Sequence, residues 1–142
     1  MGNLRVWARR RKKKGININV FIAGKLKVYG DSNMLKAVIR NLTANAIKFT
    51  GKGGSVDISA EKQKKGIILT VADSGVGISE INLKKLFRSD KVNSSKGTSN
   101  ETGTGIGLLL CKELVERHNG KIVVESEVDL GSKFIVFLPD KV

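Results

Sequence analysis

The sequence predicts one α+β domain: a mixed sheet covered on one face by helices. Three observations carry that expectation. Residues 16–22 alternate between apolar and polar or outward positions as a half-buried strand does, and short β-rich runs at 55–60, 67–72, 121–126 and 133–138 read as further strands. Two longer stretches, 32–50 and 106–118, place apolar residues on one stripe at helical spacing. The 142 residues, 40% of them apolar, suffice for a single core.

The elements follow in order. Leu4, Trp7 and Ala8 stand at i, i+3 and i+4 before a basic run that ends at Gly15, so residues 4–14 are expected to be helical. Alternation of Ile16, Ile18, Val20 and Ile22 starts the domain proper, with a turn at 23–24 and a short strand around 27–29. Asp31 and Ser32 suit the cap of a helix whose Leu35, Val38, Ile39, Leu42 and Ala46 share a stripe, ending near Thr50. Ser55–Ala60 and Ile67–Ala72 read as a hairpin around a polar connection. A glycine-bearing loop occupies 73–77, and a short helix is expected from Glu80 to about Phe87. Residues 88–103 are almost all Ser, Thr, Asn, Gly and Lys, a polar loop long enough to be a lid. Ile106, Leu109, Leu110 and Leu114 mark a last helix closed by Asn119 and Gly120, before two strands.

Composition narrows the chemistry. Cys111 is the only cysteine and His118 the only histidine, so no internal disulfide and no cysteine- or histidine-rich metal cluster can form. Cys111 lies on a Leu-rich helix face and is expected in the core, and His118, near the end of a helix, is expected to have a helix-end or packing role. The net charge of +13 is uneven: residues 1–14 carry seven Lys or Arg and no acid, leaving +6 elsewhere. With few interleaved aromatics, that distribution argues against a nucleic-acid partner. No apolar run is long enough to cross a bilayer, so this segment is not expected to insert in a membrane.

Three segments carry candidate chemistry. Asn41, Asn45 and Lys48 follow one rim of the first long helix, where two Asn cost helix propensity and offer hard oxygen ligands beside an ammonium. Asp73-Ser74-Gly75-Val76-Gly77 puts a carboxylate at a strand end beside glycines that admit a flat ligand. Gly103-Thr104-Gly105-Ile106-Gly107-Leu108 opens a helix, whose free N–H groups can receive phosphate. Neither the Rossmann nor the Walker spacing is present.

Taken in order, these segments resemble the catalytic domains of histidine kinases, within the wider group that includes type II topoisomerases, mismatch-repair ATPases and ninety-kilodalton chaperones. NLTANAIKFT (41–50) resembles the N box, DSGVGIS (73–79) the first glycine box, Leu86-Phe87 the F box and GTGIGLLLCKELVERHNGKI (103–122) the second glycine box; GSKFIVFLP (131–139) resembles the closing strand. The resemblance covers roughly residues 16–140. It implies a two-layer α/β sandwich of the Bergerat type with an ATP lid over 88–103, and it implies ATP and Mg²⁺ as cofactors. It implies Asn45 as the metal ligand, Asn41 as its supporting neighbour, Lys48 as a phosphate contact and Phe49 as an adenine neighbour. Asp73 would bind the adenine amino group, Gly75 and Gly77 would shape that pocket, and Ser132 would reach the adenine edge through water. Gly103, Thr104, Gly105, Gly107 and Leu108 would receive the phosphates.

The hydrolase relatives carry a Glu where this chain has Asn41, and an amide cannot serve as a general base near neutral pH. That points to a kinase that hands its phosphoryl group to another domain, rather than to an ATPase or to a serine kinase of the anti-sigma type. The expected partners are a histidine-bearing dimerisation domain of the same parent and a downstream response regulator. The segment 3–11 resembles the tail of the second dimerisation helix, so residues 1–15 are expected to be its end and 16–142 the catalytic domain. The expected location is the cytoplasmic side of a bacterial inner-membrane sensor.

Overall fold

A computed structural model describes residues 6–13, 15–23, 26, 30–87 and 106–140. Among them, the strands are β1 (Val6–Lys13), β2 (Ile16–Ala23), β3 (Ser55–Gln63), β4 (Gly66–Asp73), β5 (Lys121–Glu127) and β6 (Gly131–Pro139), and the helices are α1 (Ser32–Lys48), α2 (Glu80–Lys85) and α3 (Ile106–Arg117). The six strands form one sheet in the order β1-β2-β3-β4-β6-β5. Only β2 and β3 pair in parallel, which requires a crossover, and α1 supplies it. All other neighbours are antiparallel.

The helical expectation for residues 4–14 is corrected: Val6–Lys13 is a strand paired along its whole length with β2. Two physical reasons favour this. Arg9 to Lys13 would stack like charges at i, i+3 and i+4 on a helix, which is destabilising, and β2 would otherwise present an unpaired edge. Gly15, at a φ of 69°, supplies the left-handed residue that a two-residue hairpin connection needs between Lys13 and Ile16. This backbone does not have the form expected for the end of a dimerisation helix. The β3–β4 connection is also tighter than expected, because both strands run on to a two-residue turn at 64–65. The expected strand around 27–29 and the lid 88–103 lie outside the described residues.

Alternation sorts each strand into two faces. Ile16 and Ile18 of β2, Val56 of β3, Leu69 and Val71 of β4, and Phe134, Val136 and Leu138 of β6 are buried against the helices. From α1 come Val38, Leu42, Ala46 and Ile47, and from α3 Cys111, Leu114 and Val115. Burying a side chain such as Leu42 contributes about 1.5–3 kcal/mol, so this layer dominates the stability of the fold. Ile39, expected on the α1 stripe, is 38% exposed; Ile47 is buried in addition to the expected positions.

The helix ends are set by capping. Asp31 Oδ1 accepts from Met34 N–H at 2.9 Å, which contributes about 1 kcal/mol at the start of α1. α3 closes with Asn119 at a φ of 59°, where Gly120 N–H reaches Val115 O and Asn119 N–H reaches Glu116 O, both at 3.0 Å. His118 joins the two ends. Its Nε2 accepts from Asp31 N–H at 3.0 Å, so the ring proton lies on Nδ1, which donates to Leu114 O at 2.7 Å. With both nitrogens engaged and the residue buried, His118 has the helix-end role expected of it.

Candidate nucleotide site

The site lies where the C-terminal half of α1 faces the end of β4 and the start of α3. Asp73 closes β4 directly opposite Ser132 of β6. Its Oδ1 accepts two backbone N–H groups, from Gly75 at 2.8 Å and from Ser132 at 3.3 Å, which fixes the carboxylate and leaves Oδ2 for another donor. Burial pushes the Asp73 carboxyl above its ordinary value, and the bonds from Gly75 and Ser132 only partly offset that. A half-buried carboxylate whose second oxygen is kept for a donor is suited to an amino group.

Gly75 is required by proximity. A Cβ there would run into the Phe49 carbonyl oxygen, and that same carbonyl accepts from Val76 N–H at 3.2 Å. The first glycine segment is thereby sewn to the end of α1, which keeps Phe49 close to the turn that follows Asp73. Gly77, at a φ of 75°, packs against the backbone of Glu127 and Val128.

Asn41, Asn45 and Lys48 lie along α1, all half-buried. Lys48 Nζ sits 4.8 Å from the centroid of the Phe49 ring, a cation–π distance that anchors the ammonium at the helix end. The start of α3 approaches the same rim: a Cβ on Gly107 would lie 3.9 Å from Asn41 Oδ1. The structure therefore brings the first and third sequence segments together at Asn41 and Gly107. Leu108 is half-buried against the core, and Gly103, Thr104 and Gly105 lie outside the described residues.

Cys111 is fully buried behind this rim, its Sγ 3.7 Å from Val38 O. Burial pushes its thiol up to about 11, partly offset by a bond from the Asn41 side chain, so it is a core residue and not a nucleophile. At the far side of the site, Lys112 Nζ lies 5.9 Å from the Phe87 ring centroid, tying α3 to the end of α2. One residue of the site escaped the sequence reading. Ser126 of β5 bonds Ser132 at 2.7 Å and receives Ile78 N–H at 2.7 Å. Its signal was present as a polar residue in the inward register of Ile122 and Val124.

The donor set fits a magnesium–nucleotide ligand. Among the described residues no cluster of His, Cys, Asp or Glu could hold a metal alone. Mg²⁺ is commonly held by one or two protein oxygens together with substrate phosphates, which is the supply that Asn45 and its neighbours offer.

Residues 30–142 match the family described as histidine kinase-, DNA gyrase B- and HSP90-like ATPases. The chain belongs to that family. It is 34% identical to the signal transduction histidine-protein kinase BaeS of Escherichia coli over 89% of its length, and 40% identical to the adaptive-response sensory kinase SasA of a Prochlorococcus marinus strain, also over 89%. It spans only 27% and 33% of those two proteins. Among solved structures, the catalytic domain of histidine kinase ThkA superposes with a TM-score of 0.76 at 30% identity, covering 91% of this chain and 83% of that one. The mycobacterial sensor histidine kinase MprB gives 0.75 at 26% identity, covering 89% and 83%. The expected Bergerat-type sandwich is thus the observed fold, and the chain corresponds to the ATP-binding catalytic portion of sensor histidine kinases.

Proposed function

We propose that this domain binds ATP with Mg²⁺ and presents the γ-phosphoryl group to a histidine on a dimerisation domain of the same parent protein, which passes it to a response regulator. The observation that carries this reading is Asp73: a half-buried carboxylate with one oxygen engaged by two backbone N–H groups, which leaves the other to accept from a ligand beside the glycine turn that packs on Phe49. A solved relative, full-length ShkA, is described in complex with the ATP analogue AMPPNP; this chain covers 27% of it at 25% identity.

In this reading Asp73 Oδ2 accepts from the adenine amino group, and Ser132 supports the same edge. Gly75 and Gly77 let the backbone approach the ring, with Phe49 beside it. Asn45 holds Mg²⁺, which when bound neutralises phosphate charge; Asn41 steadies Asn45, and Lys48 contacts the phosphates. Gly103, Thr104, Gly105, Gly107 and Leu108 form the phosphate-receiving turn. Asn41 provides no base, so no residue there draws a proton from water, and the site holds ATP until a nucleophile arrives from elsewhere. The domain works on the cytoplasmic side of a membrane-anchored parent; among the described residues no helix is long and apolar enough to cross a membrane.

Calorimetric titration with a non-hydrolysable ATP analogue, with and without Mg²⁺ and against GTP, tests the site. Adenine-selective binding in the micromolar to submillimolar range is expected. Adding a separate histidine-bearing domain and labelled ATP then tests transfer: label on that domain, with negligible turnover by this chain alone, is the expected outcome. Rapid hydrolysis by the isolated chain would overturn the argument from Asn41.

A further inference from the structure

The hydroxyl protons around Asp73 can be assigned one by one. Ser126 Oγ accepts from Ile78 N–H at 2.7 Å, lies 3.0 Å from the Gly131 carbonyl oxygen and lies 2.7 Å from Ser132 Oγ. A serine hydroxyl has one proton and two lone pairs. A carbonyl oxygen cannot donate, so the 3.0 Å contact with Gly131 is a hydrogen bond only if the Ser126 proton is in it. The 2.7 Å contact between the serines must then carry the Ser132 proton. This assignment satisfies every contact; the reverse one leaves two acceptors facing each other at Gly131.

We infer that Ser126, which lies one layer behind the base edge, is a specificity-determining positioning residue: it claims the proton of Ser132 and so makes the Ser132 hydroxyl an acceptor towards the nucleotide. The inference rests on the adenine-pocket reading above and deepens it. Asp73 Oδ1 is already taken by two backbone N–H groups, so the edge then offers two acceptors, Asp73 Oδ2 and Ser132 Oγ, and no hydroxyl donor. Such an edge matches an exocyclic amino group, directly or through a water that donates to both. A carbonyl at the same place on the base, as in guanine or hypoxanthine, meets only lone pairs. Ser126 and Ser132 are paired directly across β5 and β6, so sheet register fixes their contact and the Gly131 carbonyl fixes the proton direction.

The test measures dissociation constants for ATP and GTP analogues by calorimetry on the whole chain and on Ser126→Ala, Ser126→Thr, Ser132→Ala and the Ser126→Ala/Ser132→Ala pair. Freed of its acceptor, Ser132 can turn its proton to the base, so Ser126→Ala is expected to lower the ATP-over-GTP preference about tenfold. Ser126→Thr, which keeps the hydroxyl, restores it, and Ser126→Ala adds nothing once Ser132 is Ala. If Ser126→Ala is poorly folded, Ser126→Cys, a weak donor of similar size, is expected to show the same fall in preference. An equal loss for both nucleotides, leaving the ratio unchanged, or additive effects in the pair would overturn the inference. Failure of the unsubstituted chain to bind ATP would instead overturn the pocket reading itself.

Discussion

The two ends of the proposed nucleotide site are built differently. At the base end, each polar group is fixed by backbone: Asp73 by Gly75 and Ser132 N–H, Ser126 by Ile78 N–H, and the serine pair by strand register. At the phosphate end, Asn41, Asn45 and Lys48 reach out as side chains from one helix, steadied by contacts such as that of Lys48 with Phe49. The base end is therefore preorganised for a fixed shape, while the proposed phosphate end would gain its order on binding the metal and the triphosphate.

Substitutions at the two ends should separate along the same line. Asp73→Asn should have the largest effect, weakening ATP affinity roughly 100-fold, because an amide N–H₂ then faces the adenine amino group. The same carboxylate predicts pH behaviour. Its folded pKa is raised above 3.8, so its ionisation costs stability as pH rises through the folded value, while ATP binding needs the ionised form and fades as pH falls through it. Melting curves of the nucleotide-free chain should lose this contribution in Asp73→Asn, and titrations across acidic pH should show the loss of affinity beginning above the ordinary carboxylate range.

Asn45→Ala should weaken ATP binding about thirtyfold with Mg²⁺ present and very little in its absence, since it removes only the metal ligand. Equal losses in both conditions would place Asn45 outside the metal site. Lys48→Ala should cost about tenfold for ATP and leave adenosine binding unchanged, a contrast that isolates the phosphate end. The smallest effect belongs to Cys111: fully buried, with a thiol pushed up to about 11, it should resist alkylation in the folded chain at neutral pH and react on unfolding.

Much of this was legible in the residues. Leu42 and Ala46 announced α1 by spacing, Asp31 announced its start, and Asn119-Gly120 announced the end of α3, because local periodicity and capping are local physics. The polar rim of α1 stood out because two Asn cost helix propensity, and the structure adds a second use for one of them, the bond from Asn41 to Cys111. What failed was non-local. Leu4, Trp7 and Ala8 fit a helix as well as a strand; the basic run disfavours the helix, but the open edge of β2, formed by a fold not yet assembled, is what gives β1 its partner. Ser126 was missed for a related reason: one serine in a strand gains meaning only once β6 lies beside it and places Ser132 opposite.

That placement also orders events in time. The β3–β4 hairpin closes over two residues and can form early, whereas the bond from Ser132 N–H to Asp73 joins positions 59 apart in the chain. That bond is available to Asp73 only once the β5–β6 hairpin docks with β6 along β4. If Asp73 holds the base as proposed, a chain in which β6 has not paired with β4 lacks part of the base edge, and nucleotide binding would report that long-range pairing.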